Sequence, residues 1–156
     1  MIDKAIIKIA SNTENHGVLD NHTHSAKLKN SICGDEMRVY LIVKNDKITS
    51  FKYECESCIY CQASVSLLSR SAKNKSIEKV KYFAEQAKNS FEKNTKSFDK
   101  EWKELDKIMI KNNISRKQTH RSLAEYTRFT FIFKIYDFIT FNNQINFHFI
   151  TTNCIF

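Results

Sequence analysis

Two cysteine segments carry the residues of this chain that can do chemistry: Cys33-Gly34-Asp35, and Glu54-Cys55-Glu56-Ser57-Cys58-Ile59-Tyr60-Cys61-Gln62-Ala63-Ser64. Thiolate sulfur is a good ligand for zinc, copper(I) and iron–sulfur units, and a carboxylate oxygen is a harder, more exchangeable one. Gly34 permits a tight loop, so the side chains of Cys33 and Asp35 can turn toward one point. Cys58 stands where a helical period begins. A helix N-terminus lowers a thiol's pKa and favours the thiolate, which suits both a metal ligand and a persulfide carrier. Cys33, Asp35 and Cys58 can therefore converge on one metal ion or one sulfur atom.

The other candidates weigh less. Cys58-Ile59-Tyr60-Cys61 is formally a CxxC, the spacing shared by thioredoxin-like redox sites and zinc knuckles. No βαβ pattern precedes it and no second CxxC accompanies it, so Cys55 and Cys61 read as neighbours of the site and not as obligatory ligands. His22 and His24 would lie on one side of an extended segment, where surface polar roles are commoner than ligation. Neither a nucleophile elbow nor a phosphate-cradling glycine loop occurs.

Positioning those side chains falls to a short run of elements. Ile6, Ile7, Ile9 and Ala10 are spaced for an amphipathic helix over residues 2 to 10. Ser11 to Asn15 reads as a polar turn, and His16 to His24 as an extended loop. Ser25 to Asn30 predicts a short strand, with Ala26 and Leu28 on one face. Met37 to Lys44 and Lys47 to Glu54 are strand-like and flank Asn45-Asp46, a hairpin turn without the usual glycine. After Cys58 the period changes. Ala63, Leu67, Leu68 and Ala72 mark one helix, Ile77 to Ala87 a second with Ser76 as N-cap, and Asp99 to Ile110 a third. Strands first and helices after predict an α+β domain: a small antiparallel sheet of about three strands packed by helices.

Bulk properties narrow the partners. The 156 residues fit one domain, with or without an appendage, and 42% are hydrophobic. The net charge of +8 is basic, but its lysines are spread and interleaved with acids, and no Arg-rich cluster or RNA-binding signature argues for nucleic acid. Residues 1 to 9 lack the apolar run of a signal peptide, and no stretch is long and apolar enough to span a membrane. A cytoplasmic address is the expectation. There, clustered cysteines bind metal or do redox chemistry more often than they form disulfides.

Three segments together resemble the NifU/IscU-type iron–sulfur scaffold proteins, and within them the SufU branch. Asn12-Thr13-Glu14-Asn15-His16-Gly17 resembles the family's N-P-R-N-x-G, without its proline. Asn30-Ser31-Ile32-Cys33-Gly34-Asp35 resembles N-P-x-C-G-D. Ser57-Cys58-Ile59-Tyr60-Cys61-Gln62-Ala63-Ser64 resembles G-C-x-I-x-x-A-S. The resemblance runs from about Ile2 to Arg116. It implies a SufE/NifU-like fold with Cys33, Asp35 and Cys58 around one site at a sheet edge. It also implies a cargo of zinc or a nascent [2Fe–2S] cluster. Sulfur would arrive as persulfide on Cys33 from a cysteine desulfurase and pass on to recipient apo-proteins. The chain would be a scaffold or sulfur acceptor, not an enzyme turning over a small molecule alone; the alternatives are a zinc-dependent sulfurtransferase partner and a degenerate relative.

The family's late cysteine follows an arginine by three positions. Arg116 fits, but the matching residue is Thr119, with His120 beside it. From about Gln118 the composition also changes: Phe129, Phe131, Phe133, Phe138 and Phe141 crowd a stretch nearly free of lysine. The division expected is a scaffold domain over 1–117 and an atypical Phe-rich tail over 118–156, such as a frameshift or divergent end produces. Cys154 lies in that tail.

Overall fold

The computed structural model describes residues 3–29, 34–93 and 100–105. Three strands, β1 (His24–Lys29), β2 (Glu36–Lys44) and β3 (Lys47–Glu56), form an antiparallel sheet in the order β1-β2-β3. Helix α1 (Lys4–Ala10) precedes them, and α2 (Ile59–Ala72), α3 (Ile77–Lys93) and a 3-10 turn (Lys100–Leu105) follow. The expected α+β arrangement is the one observed.

β2 and β3 make a hairpin whose turn needs a positive φ at both central residues. Asn45 and Asp46 supply φ values of 49° and 57°, the conformation that these two residue types tolerate best after glycine. Met37, Val39 and Leu41 of β2 are buried, as are Phe51 and Tyr53 of β3. Ile48 is buried too, three residues before Phe51, which breaks strict alternation. A register shift beside Ile42 and Val43 absorbs the extra residue, Thr49, whose hydroxyl donates to Ile42 O at 3.1 Å. At its open end the hairpin pairs Glu36 with Glu56 and Met37 with Cys55. Asp35 and Ser57-Cys58 therefore leave the sheet side by side.

The outer edge of β3 is covered at both ends. Gly17 N–H donates to Tyr53 O and Tyr53 N–H to Asn15 O, while Asn74 N–H donates to Ile48 O and Ile48 N–H to Lys75 O. Gly17 adopts a φ of 118° at this crossing, a backbone region that glycine reaches at little cost.

Helix α2 is the central element. Cys61, Ala63, Ser64, Val65, Ser66, Leu67, Leu68, Ser69 and Ala72 are buried, so the helix is enclosed on most of its circumference. Burying Leu67 and Leu68 contributes about 1.5–3 kcal/mol each. Its serines are satisfied locally: Ser64 donates to Tyr60 O at 2.7 Å and Ser69 to Ser66 O at 2.9 Å. Others tie down the N-terminal loop, with Ser66 donating to Asn12 O at 3.0 Å and Asn15 Nδ2 to Ser69 Oγ at 3.1 Å. The Asn12 carbonyl and the Asn15 side chain thus hold the loop against α2. Ser76 caps α3 as expected, accepting from Lys79 N–H at 3.2 Å. Trp102 is buried and stacks on Phe83 with ring centroids 4.2 Å apart. Around it the chain forms a 3-10 turn over Lys100–Leu105, where the apolar spacing predicts part of a longer helix. Residues 106–110 of that expected helix lie outside the described residues.

Candidate metal centre

The site forms where the open end of the hairpin meets the start of α2. Gly34, with a φ of 72°, turns the chain into β2 and delivers Asp35, a buried carboxylate. Cys58 is the N-cap of α2, with extended φ and ψ of −62° and 157°, and its carbonyl accepts the first helical bond from Gln62 N–H at 3.0 Å. Gln62 Nε2 secures the entry further by donating to Ser57 O at 2.8 Å.

Asp35 joins the two halves. Its Oδ1 accepts from Cys58 N–H at 3.0 Å, and its Oδ2 accepts from the Cys61 thiol at 3.2 Å. A carboxylate on a helix N-terminus satisfies a backbone donor and meets the positive end of the dipole. One ligand atom each from Asp35, Cys58 and Cys61 lies within 4.8 Å of the others. In a tetrahedral zinc or iron site such atoms sit about 3.5–3.8 Å apart, from metal–ligand bonds of about 2.0–2.3 Å. Two sulfurs and a carboxylate oxygen also fit the softness of zinc and of iron–sulfur units.

The thiols differ in environment. The neighbouring Cys58 thiol, then burial, then the Asp35 carboxylate push the Cys61 thiol up, so without metal it is a proton donor. Burial pushes Cys55 up to about 11, opposed by its 2.6 Å contact with the Ser57 hydroxyl. Cys55 belongs to the hairpin's end and is not part of the three-residue group.

Asp35 and Cys58 meet at this site, together with Cys61, which sequence reasoning set among the surroundings. Spacing held a usable signal: residues three apart at a helix start share one face. Cys33 lies outside the described residues, as do Thr119, His120, Cys154 and the whole of 118–156. His22 Nδ1 donates to Leu19 O at 2.7 Å, and His24 Nδ1 lies 2.8 Å from Thr23 Oγ1. Neither histidine joins the three-residue group.

The profile of the NifU-like N terminal domain matches residues 1–119. The iron–sulfur cluster assembly scaffold protein IscU of Thermotoga maritima is 32% identical over 87 residues, 56% of this chain and 61% of that protein. The zinc-dependent sulfurtransferase SufU of Bacillus subtilis is 34% identical over 67 residues, 43% of this chain and 45% of that protein. The matched stretch thus spans less than two thirds of either relative. Among solved structures, the N-terminal part of a nitrogen-fixing NifU-like protein from Brucella abortus superposes with a TM-score of 0.73 at 19% identity, covering 88% of this chain and 90% of that one. A SUF-system scaffold from Fervidobacterium islandicum gives 0.59 at 23% identity, over 68% of this chain and 82% of that one. Both share the fold.

Proposed function

This chain belongs to the NifU-like N terminal domain family, and on that premise we propose that it is an iron–sulfur assembly scaffold that accepts sulfur as persulfide. The observation that supports this reading is the meeting of Asp35, Cys58 and Cys61 at the N-terminus of α2. We assign Cys33, Asp35 and Cys58 as the primary ligands, with Cys33 the first acceptor of sulfur. Cys61 adds a thiolate in a chain that has Thr119 where the family carries its late cysteine, and four donors complete a four-coordinate set.

In this reading Asp35 is the exchangeable member. Its hydrogen bonds to Cys58 N–H and the Cys61 thiol hold the carboxylate in place before cargo arrives. A weaker oxygen ligand also opens a position when cargo is handed on. The partners are a cysteine desulfurase as sulfur source and apo-proteins as recipients, in the cytoplasm. Among the described residues no helix is long and apolar enough to cross a membrane. The scaffold unit is residues 1–117, and 118–156 are the atypical Phe-rich tail that follows it in sequence.

The same donor set suits zinc, so a zinc-dependent sulfurtransferase partner is the second reading. Anaerobic reconstitution of the full chain with iron, cysteine and a desulfurase separates the two. Iron with an equal amount of labile sulfide, lost in Asp35→Ala and Cys58→Ser, supports the scaffold. Zinc retained with persulfide and no labile sulfide supports transfer, and neither metal nor persulfide refutes both.

A further inference from the structure

Cys58 and Cys61 occupy the N-cap and the third residue of α2, one helical turn apart on one face. The Cys58 side chain is half-buried, whereas Cys61 is only 1% exposed and sits behind it. Asp35 bonds to both residues, through the Cys58 N–H and the Cys61 thiol. Holding a metal does not require one accessible and one buried thiol with a carboxylate beside the buried one. A thiol pair arranged in this way is also a two-electron reductant.

We propose that Cys58 and Cys61 form an internal dithiol that releases sulfide from a sulfane sulfur carried on Cys58. The proposal rests on the sulfur-acceptor part of the function above. It addresses a chemical need of that function, because persulfide delivers sulfur at the sulfane level while a cluster contains sulfide. Two electrons must be added.

The step balances within the site and the loaded sulfur. Cys58 carries Sγ–S–H. The Cys61 sulfur attacks Cys58 Sγ, forming the Sγ–Sγ bond as the Sγ–S bond breaks. The electron pair of the broken bond leaves with the terminal sulfur as hydrosulfide. The Cys61 proton passes to Asp35 Oδ2, its hydrogen-bond acceptor, and departs with the hydrosulfide as hydrogen sulfide. The products are a Cys58–Cys61 disulfide and one sulfide, and an external thiol reductant restores the dithiol by exchange. Placement on one turn makes the attack intramolecular, where effective concentrations far exceed those of thiols in solution. Sulfide release and metal binding then alternate, since a disulfide offers no thiolate ligand.

The test uses the reduced, metal-free full chain, loaded with inorganic polysulfide and desalted anaerobically. Released sulfide is measured without added reductant. Chymotrypsin cleaves after Tyr60, so the Cys58 and Cys61 peptides stay joined only through a disulfide. The parent should release its Cys58-bound sulfur and yield the joined peptides. In Cys61→Ser and Cys61→Ala the extra sulfur atom should remain on the Cys58 peptide, and release should fall at least ~10-fold. Cys55→Ser should behave as the parent. Parental release from both Cys61 variants, or a parent that keeps its sulfur on Cys58 with Cys61 still alkylatable, overturns the proposal and leaves the scaffold reading standing. A chain that takes sulfur on Cys33 and none on Cys58 overturns the proposal alone, and a chain that takes sulfur on neither overturns the sulfur-acceptor reading as well. The peptides of Cys55→Ser, in which Cys58 is the one thiol of residues 54–60, decide the matter even if both Cys61 variants misfold: joined peptides support the proposal and separate ones overturn it.

Discussion

Replacing Asp35 with alanine removes the side chain that joins the hairpin's open end to α2. Cys58 N–H loses its acceptor and the Cys61 thiol loses its own. A hydrogen bond to a charged group is worth about 1.5–3 kcal/mol, and a carboxylate near a helix N-terminus adds about 0.3–1 kcal/mol. The two contributions overlap, because both come from one carboxylate on one helix end. The thiol bond adds little, since sulfur is a weak donor. The expected loss for Asp35→Ala is about 2–3 kcal/mol, or about 5–10 °C in Tm for a chain of this size. Asp35→Asn keeps an oxygen facing Cys58 N–H and loses only the charge, so about 1 kcal/mol is expected. Urea unfolding in the presence of a chelator is the assay, because bound metal would add its own stabilisation to the parent. Trp102, the single tryptophan, is buried against Phe83 and reports the transition. An alanine variant within about 0.5 kcal/mol of the parent at unchanged m-value, or an asparagine variant as unstable as alanine, would refute the claim that this carboxylate anchors the helix start.

Cys58→Ser and Cys61→Ser should each weaken zinc binding at least ~100-fold in a competition titration with a chromophoric chelator, since each removes a soft donor; parental affinity in Cys61→Ser would exclude it as a ligand. Asn45→Val should cost about 1–2 kcal/mol in urea unfolding, because a β-branched residue fits a φ of 49° poorly; no loss would mean that the turn is not under that constraint. Phe83→Ala should cost about 3–5 kcal/mol and shift Trp102 emission to the red, as its stacking partner is removed. Cys55, held up at about 11 by burial, keeps its proton above the usual thiol range. Its contribution to stability is present below about pH 9 and is lost as pH rises toward 11. Urea midpoints should therefore fall across that window, and less steeply in Cys55→Ser.

Local pattern made much of the fold legible. A run of β-branched and aromatic residues marked β2, alternation marked β3, the change of period after Cys58 marked α2, and Ser76 announced α3. Asn45-Asp46 read correctly as a turn even without glycine, because these side chains tolerate a positive φ. A helix over Asp99 to Ile110 was the expectation, but the 3-10 geometry around Trp102 was not legible, since apolar spacing over one turn also suits an α-helix. At the site, Asp35 and Cys58 were singled out by type and position. What linear reading set among the surroundings was Cys61. It meets a carboxylate contributed from 26 residues earlier in the chain, and no local period encodes that contact.

The hairpin has one more consequence for metal affinity. Asp35 and Cys58 are 23 residues apart in sequence, and β2 and β3 bring them together before any ion arrives. In an unstructured chain, closing such a loop would cost about 3 kcal/mol in entropy, from the logarithmic dependence on loop length. The sheet's own pairing covers that cost, so the hairpin serves as the rigid backbone of a chelate ring. About 3 kcal/mol corresponds to a factor of ~100 in affinity. Substitutions at the far turn that loosen the hairpin should therefore weaken metal binding without touching a single donor atom.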